Sequence, residues 1–477
     1  MNRRAFLKQA AMTTGAAFSL PLSCSLFKRP PPTPNILFLF ADDQSHEALS
    51  VFGSEVQTPN LDRLASAGVS FRNAYNQGGW HGAVCVASRT MLITGRFLGH
   101  AQRIEPQLDQ ELAAGRLWPQ YLAQAGYETY FSGKWHVKVD ARQVFQTARH
   151  IRPGMPRDTK AGYLRPVEGE PDVWCPWDTL LGGYWEGGQH WSEVLREDAK
   201  AFINQAAQSN KPFFMYLAFN APHDPRQSPQ AYVNRYPLDQ LKIPENFMTE
   251  YPFNDEIGCS IDLRDERLAP LPRTEYAVKV HRQEYYAIIS HLDDQIGRIL
   301  AALEKSGKAK NTYILFTADN GLALGRHGLF GKQNMFEHSM KVPLILTGPN
   351  IPDNRQIDTP VYLQDLMPTT LELAGISIPE QVQFRSLMPL INGKRPEHYE
   401  AIYGGYIDLQ RMVRKGDFKL IYYPKIKKTL LFNLKHDPLE MNDLATDEQY
   451  AGKVIELKQA LVALQKQVGD TLELNWE

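Results

Sequence analysis

The sequence predicts an α/β fold: a mostly parallel central sheet flanked by helices, followed by a smaller C-terminal α+β subdomain. Three observations predict it. Five apolar runs lack alternation and stop abruptly in polar residues, as strands buried on both faces of a parallel sheet do. Helical patterns separate these runs, as crossover connections require. After about residue 385 the pattern changes to a hairpin, a strand with a loop, and one closing helix. A chain of 477 residues is long enough for one large domain and a smaller one.

The chain opens with "MNRRAFLKQAAMTTGAAFSLPLSC". Residues 1–23 read as an export signal, with a basic start and a weakly apolar stretch from Ala10 to Leu22 that is too short to span a membrane. Arg3 and Arg4 followed by "AFLK" resemble a twin-arginine signal, and a plain secretory signal is the alternative. The expected destination is the periplasm or cell surface. Cys24 resembles a lipoprotein cysteine, although Pro21 stands where an aliphatic residue is usual. A lipid anchor there is the one membrane attachment expected. Removal of the signal takes Arg3, Arg4 and Lys8 and leaves 49 basic against 53 acidic side chains, a net charge of −4. No basic run remains that would recruit nucleic acid, so that partner is not expected. Residues 24–33 form a proline-rich linker.

The five expected strands are "NILFLFADD" (35–43), "YETYFSGKWH" (127–136), "PFFMYLAFNAPHDP" (212–225), "TYILFTADNG" (312–321) and "KVPLILTGPN" (341–350). "TPNLDRLASAGV" (58–69) reads as a helix, with Thr58 as N-cap, Pro59 at the first position and Gly68 near its end. "SEVLREDAKAFINQAAQS" and "VKVHRQEYYAIISHLDDQIGRILAALEKSG" have helical periodicity, the second stopping at Gly307. These elements place a catalytic domain over residues 34–385. Over 386–477, "RMVRKGDFKLIYY" predicts a hairpin turning at Lys-Gly-Asp, and "EQYAGKVIELKQALVALQKQV" an amphipathic helix.

Two strands share one ending. "ILFLFADD" and "YILFTADN" both close on Ala, Asp and a second oxygen donor. Side by side they put Asp42, Asp43, Asp319 and Asn320 at the carboxyl ends of the strands, where open α/β sheets carry their sites. A single "ADD" would more simply cap the next helix. Two matching ends favour a metal, because clustered carboxylates repel without a cation, and oxygen donors select Ca²⁺ or Mg²⁺ over zinc. Lys134, His136, His223 and Lys332 end or adjoin strands pointing to the same rim. Lysines and histidines beside a metal suit an anionic tetrahedral group. His327 lies in the same glycine-rich loop as Lys332 and is a further candidate substrate residue, and His338 reads as solvated surface. Trp80, His81 and "HDPRQSP" are expected to flank the pocket as substrate subsites, although Trp80 could simply pack.

After Cys24, the chain keeps Cys85, Cys175 and Cys259. Three is odd, and if Cys175 and Cys259 pair, Cys85 is left over. "CVASRTMLITGR" puts Cys85 at a helix start, where the dipole favours negative charge and lowers a thiol pKa. Arg89 can reach back toward it. An exposed thiolate in an oxidising compartment is nevertheless an awkward nucleophile. On these grounds Cys85 is a reactive or modified cysteine beside a metal and an anion pocket.

These residues resemble the sulfatase family over residues 34–435. "CVASRTMLITGR" matches its signature of Cys, any residue, Pro or Ala, Ser, Arg, then Leu, a hydrophobic residue, Thr and Gly. "NILFLFADDQ", "TPNLDRLASAGVSFRNAY", "GKWH", "APHDP" and "TADNGLALGRHGLFGKQNMFEHSMKVPLIL" match its other blocks in order. The resemblance implies an alkaline-phosphatase-like fold. It implies oxidation of Cys85 to formylglycine by a transient maturing enzyme, with the hydrate as nucleophile. Its second hydroxyl lets a sulfated intermediate collapse without water attacking sulfur. It further implies Ca²⁺ held by Asp42, Asp43, Asp319, Asn320 and residue 85. Arg89 and Lys134 would stabilise the hydrate. His136 would assist it and later help eliminate sulfate. His223 and Lys332 would bind the sulfate, and His223 would protonate the departing alcohol. Ala87 stands where the signature more usually has Pro, which is similar to the variant processed by radical-type maturases. Twin-arginine export of a folded chain would fit maturation in the cytoplasm. The expected substrate is a sulfated carbohydrate. The alternatives are a phosphodiesterase or phosphonate monoester hydrolase on the same scaffold, and a non-catalytic protein that binds sulfated glycan.

Overall fold

The computed structural model describes residues 33–157 and 159–476. The signal at 1–23, Cys24 and the linker up to residue 32 lie outside the described residues. Among the described residues no helix is long and apolar enough to cross a membrane.

The central sheet has eight strands. In chain order they are β1 (Asn35–Ala41), β2 (Gly68–Phe71), β3 (Glu128–Lys134), β4 (Thr147–Arg152), β5 (Phe213–Ala218), β6 (Thr312–Ala318), β7 (Leu344–Thr347) and β8 (Arg355–Ile357). Their spatial order is β8-β2-β7-β6-β1-β5-β3-β4. β1 is buried along its whole length, which is why its seven residues read as a continuous apolar run. It runs parallel to β5 and to β6, with Ala41 level with Ala318. The two matching sequence ends are therefore neighbours in register.

One strand departs from the parallel expectation. β7 runs antiparallel to both β6 and β2. Residues 319–343 leave β6 at the carboxyl rim and enter β7 from that same rim. No crossover intervenes, so the return is antiparallel. The short strands β2, β4 and β8 carry no distinct apolar run. β2 also corrects the first helix: α1 spans Pro59–Ser66, and Gly68 opens β2 instead of closing the helix. Thr58 makes no side-chain cap. Asp293 does that work from a distant helix, accepting from the backbone N–H groups of Asn60 and Leu61 at 3.1 and 2.8 Å.

Four further helices are α2 (Val84–Thr94), α3 (Trp191–Ala207), α4 (Glu275–Lys305) and α5 (Ala451–Val468). α4 begins at Thr274, whose Oγ1 accepts from the Ala277 N–H at 3.1 Å. A second sheet of β9 (Ile402–Tyr406), β10 (Gln410–Lys415), β11 (Phe418–Tyr423) and β12 (Lys428–Asn433) is antiparallel, and β10 and β11 form the expected hairpin. The two-residue strand Gly78–Gly79 adds to β9 as its fifth member. This tie between the segment before α2 and the C-terminal sheet demands glycine: a Cβ on Gly78, whose φ is +88°, would sit 2.1 Å from the Gly405 carbonyl oxygen.

Candidate active site

α2 is buried on every side, its apolar residues in the core and its polar ones, Ser88, Arg89, Thr90 and Thr94, buried with them. Cys85 lies in its first turn and Arg89 one turn later on the same face. The Arg89 guanidinium is tied to the strand ends. Its Nε donates to Asp319 Oδ2 at 2.9 Å, its Nη1 donates to the Lys134 carbonyl at 2.8 Å, and its Nη2 lies 3.7 Å from Asp42 Oδ1. Arg89 thus holds the ends of β1, β3 and β6 together.

Around this anchor the four oxygen-donor residues of the sequence pattern converge. Asp42, Asp43, Asp319 and Asn320 are all buried. The Asp43 N–H donates to Asp319 Oδ1 at 3.0 Å. The loop after β1 is fixed by Tyr285 of α4, whose hydroxyl donates to the Asp43 carbonyl at 2.8 Å and accepts from the Ser45 N–H at 2.9 Å. Asp43 and His136 both have positive φ, +65° and +55°, so the backbone is held in a rare conformation where it presents these side chains.

The carboxylates are not without counter-charge, as the sequence pattern alone had implied. The Lys134 ammonium donates to Asp42 and the Lys332 ammonium to Asp43. With Arg89, three cations face three carboxylates. Even so, Asp42 Oδ1, Asp43 Oδ1 and the Asn320 amide nitrogen are buried with no hydrogen-bond partner. Burial and the neighbouring Asp319 push Asp42 well above the usual carboxylate range, and burial lifts Asp43 to about 6. Burial would also raise Asp319, but Arg89, Lys134 and Lys332 outweigh it and hold that carboxyl low. The cluster Asp42, Cys85 and Asp319, and the cluster Asp42, Asp43 and His223, each bring ligand atoms within 4.8 Å of one another. Orphaned buried oxygens on anions that burial disfavours suit a hard divalent cation.

Cys85 Sγ lies 3.3 Å from His136 Nδ1. Burial raises the thiol pKa in spite of Lys134 and Lys332, so the expectation of a dipole-lowered thiolate is overturned. His136 is pushed down to about 2 by burial, then by Lys134, Arg89 and Lys332, and is therefore neutral. His223 is also held neutral by burial, Lys332, Lys134 and Arg264. Its Nδ1 is 2.7 Å from the Asp224 carbonyl, which makes Nδ1 the protonated nitrogen and turns Nε2 toward Asp43 at 3.6 Å.

A cavity of about 360 Å³ opens over Cys85, His136, His223 and Lys332. Its wall includes Pro153, Gly154, Met155, Leu263, Arg264, Asp265 and Gln333, none of which the sequence reading selected. They come from loops whose side chains carry no periodic signal. Gly154 is tight against the site, since a Cβ there would lie 2.4 Å from the His136 ring. Gly154→Ala is therefore expected to displace His136 and cut turnover about 10- to 100-fold with little change in melting temperature. Steady-state rates on an aryl sulfate beside a thermal melt check this.

Three expected subsite residues lie elsewhere. His327 is buried away from the cavity, stacked on Phe336 at 4.0 Å, with its Nε2 3.1 Å from the Glu440 carbonyl. His338 is also buried, beside His327, and is not the solvated residue expected. Trp80 and His81 do not line the cavity: the Trp80 indole donates to Glu105 at 3.3 Å, and His81 lies 3.6 Å from the same carboxylate. Their neighbour Gly82 does line it. Cys175 and Cys259 are unpaired, and the Cys259 thiol donates to the Gln333 carbonyl at 3.1 Å.

A sequence model described as "Sulfatase" matches residues 34–376, which is most of the chain. The chain belongs to the sulfatase family. A second model, "N-sulphoglucosamine sulphohydrolase, C-terminal", matches residues 325–467 of this sulfatase. The N-acetylglucosamine-6-O-sulfatase of Bacteroides thetaiotaomicron is 27% identical to it, over 95% of this chain and 90% of its own. BT4656, solved in complex with its substrate D-glucosamine-2-N,6-O-disulfate, has a TM-score of 0.71 at 25% identity and covers 92% of this chain and 99% of its own. The phosphonate monoester hydrolase of Agrobacterium radiobacter has a TM-score of 0.71 at 21% identity, over 91% of this chain and 96% of its own, a likeness of fold. The sulfatase is a sulfuric ester hydrolase of alkaline-phosphatase-like fold.

Proposed function

We propose that this enzyme removes sulfate from a sulfated carbohydrate, with formylglycine at position 85 and Ca²⁺ or Mg²⁺ held by Asp42, Asp43, Asp319, Asn320 and residue 85. The supporting observation is that Cys85, two neutral histidines and Lys332 line one cavity, while the orphaned oxygens of Asp42 and Asp43 lie buried beside Lys134 and Lys332. The Bacteroides relative is an N-acetylglucosamine-6-O-sulfatase and BT4656 was solved with D-glucosamine-2-N,6-O-disulfate, and both support the substrate class. Once formed, the hydrated aldehyde supplies an oxygen nucleophile, and the cation lowers the cost of its charge.

The charge balance explains why an anion enters. Three carboxylates against Arg89, Lys134 and Lys332 are neutral together, and a divalent cation leaves them two units positive. A sulfate ester brings one negative charge, which offsets half of that excess. Lys134 and Lys332 then turn from their carboxylates toward the sulfate oxygens. His136, neutral and beside residue 85, accepts a proton from the attacking hydroxyl. His223 gives a proton to the departing alcohol oxygen. Burial, and then the cations around it, hold it neutral in the free protein, and an anionic substrate that offsets Lys332 and Lys134 favours its gaining that proton. Ala87 and the paired arginines at the N-terminus support maturation by a radical-type enzyme before export.

The test is a panel of aryl sulfates, phosphate diesters and sulfated sugars on protein co-expressed with a maturase. Higher kcat/KM on sulfates is expected, and a preference for phosphate diesters would overturn the assignment. The cation has its own readout. Adding Ca²⁺ to chelator-treated protein should stabilise the fold by about 2.7 kcal/mol at a hundredfold excess over Kd, seen as a higher melting temperature. No shift with either Ca²⁺ or Mg²⁺ would contradict the site.

A further inference from the structure

Arg264 and Asp265 face the catalytic cavity, and the proposed chemistry uses neither. They lie in "LRDERLAPLPRT", a loop fixed rigidly from behind. Arg273 Nη2 donates to the Glu266 carboxylate at 2.7 Å, and both side chains are buried. Glu266 also accepts the N–H groups of Phe330 and Gly331 at 2.9 and 2.8 Å, which ties this loop to the one carrying Lys332. Asp265 is held in turn by Gln333, whose amide donates to it at 2.8 Å and to the Gly82 carbonyl at 3.0 Å.

The Arg264 guanidinium is a quarter exposed and has donor capacity to spare. It donates to Asp265 Oδ1 and touches the Met155 thioether, a weak acceptor. Asp224 is 3.5 Å away, and neither of its buried oxygens accepts a hydrogen bond. His223 Nε2 lies 3.4 Å from Nη2. Locally one cation meets two carboxylates. Lys332 is 3.9 Å from Asp265 but is committed to Asp43. Arg264 is therefore already matched by Asp265 and Asp224, and a second anionic group on the substrate finds no unmatched cation there. A hydroxyl fits, because it accepts from a guanidinium and donates to a carboxylate. Pro153, Met155 and Leu263 supply an apolar wall for the C–H face of a sugar ring.

We infer that Arg264 and Asp265 together read neighbouring hydroxyls beside the scissile ester, so that the preferred substrate unit is singly sulfated and otherwise neutral. This rests on the sulfated-carbohydrate reading above and narrows it. Both residues are specificity-determining groups, distinct from those that handle the sulfate.

The test compares wild type, Arg264→Ala and Arg264→Lys, all matured. The substrates are 4-nitrophenyl sulfate, N-acetylglucosamine 6-sulfate, galactose 6-sulfate, D-glucosamine-2-N,6-O-disulfate and glucuronic acid 2-sulfate. Wild type is expected to prefer a singly sulfated neutral sugar. Arg264→Ala is expected to lower kcat/KM on that sugar about 10- to 100-fold, mostly through KM. The ratio of sugar to aryl activity should fall by the same order, and Arg264→Lys should recover part of it. Equal losses on sugar and aryl sulfate would overturn the assignment by showing a catalytic or structural role. Preference for the disulfate or the uronate would overturn it too. Failure of wild type to cleave any sugar, with aryl turnover intact, would instead bring down the carbohydrate reading on which it rests.

Discussion

Cys85→Ala should lower sulfate ester turnover by about 10⁴-fold or more while leaving a protein that melts cooperatively near the wild-type temperature. The side chain is small and lies in the first turn of a buried helix. Alanine keeps the helix and removes one sulfur atom, at a cost of about 1 kcal/mol. The loss of activity should be far larger because no neighbour can substitute. His136 and His223 are neutral, and Lys134 and Lys332 are bound to carboxylates. The raised pKa of the thiol adds a second expectation: unconverted Cys85 is itself inert, so protein made without a maturase should resemble the alanine variant. Steady-state rates on an aryl sulfate, with a melt on each sample, check both. Substantial activity in the variant would show that the nucleophile lies elsewhere.

Asp319→Ala should combine loss of activity with a large loss of stability. Its two oxygens serve Arg89 at 2.9 Å and the Asp43 N–H at 3.0 Å, with no exposure to solvent. Removing the carboxylate leaves Arg89 with Asp42 at 3.7 Å as its one carboxylate, and leaves the Asp43 N–H without its acceptor. Breaking one side of a buried ion pair costs about 3–5 kcal/mol. Asp319→Asn keeps an acceptor and the shape, so it should recover stability but not turnover, because the proposed cation would lose a charged ligand. Urea midpoints on the two variants separate these effects. Equal stability of Asp319→Ala and wild type would mean the cluster relaxes around the loss.

The carboxylate half of the site was legible because it is written twice in strand ends. "ADD" after β1 and "ADN" after β6 become neighbours through one parallel register, Ala41 beside Ala318. Buried parallel strands advertise themselves as unbroken apolar runs, and helix α2 does so through its signature. What escaped has physical reasons. β7 runs the opposite way because the loop before it stays at one rim, and strand composition carries no direction. His327 and His338 read as loop residues, yet they stack with Phe336 in the interior, where aromatic packing replaces solvent. The N-cap of α1 came from Asp293, more than 200 residues away in sequence. Arg264 and Asp265 left no signal, since a charged pair in an irregular loop is usually surface. The thiol pKa followed desolvation, which sequence cannot display, instead of the helix dipole.

The central claim is that residue 85 is converted before it acts. The direct measurement is mass spectrometry of the tryptic peptide Asn73–Arg89 from protein co-expressed with a radical-type maturase, with the aryl sulfatase rate measured on the same preparation. The converted fraction should carry an aldehyde in place of the thiol and should rise in proportion to the specific activity. Full activity in protein whose Cys85 is entirely unmodified would contradict the account.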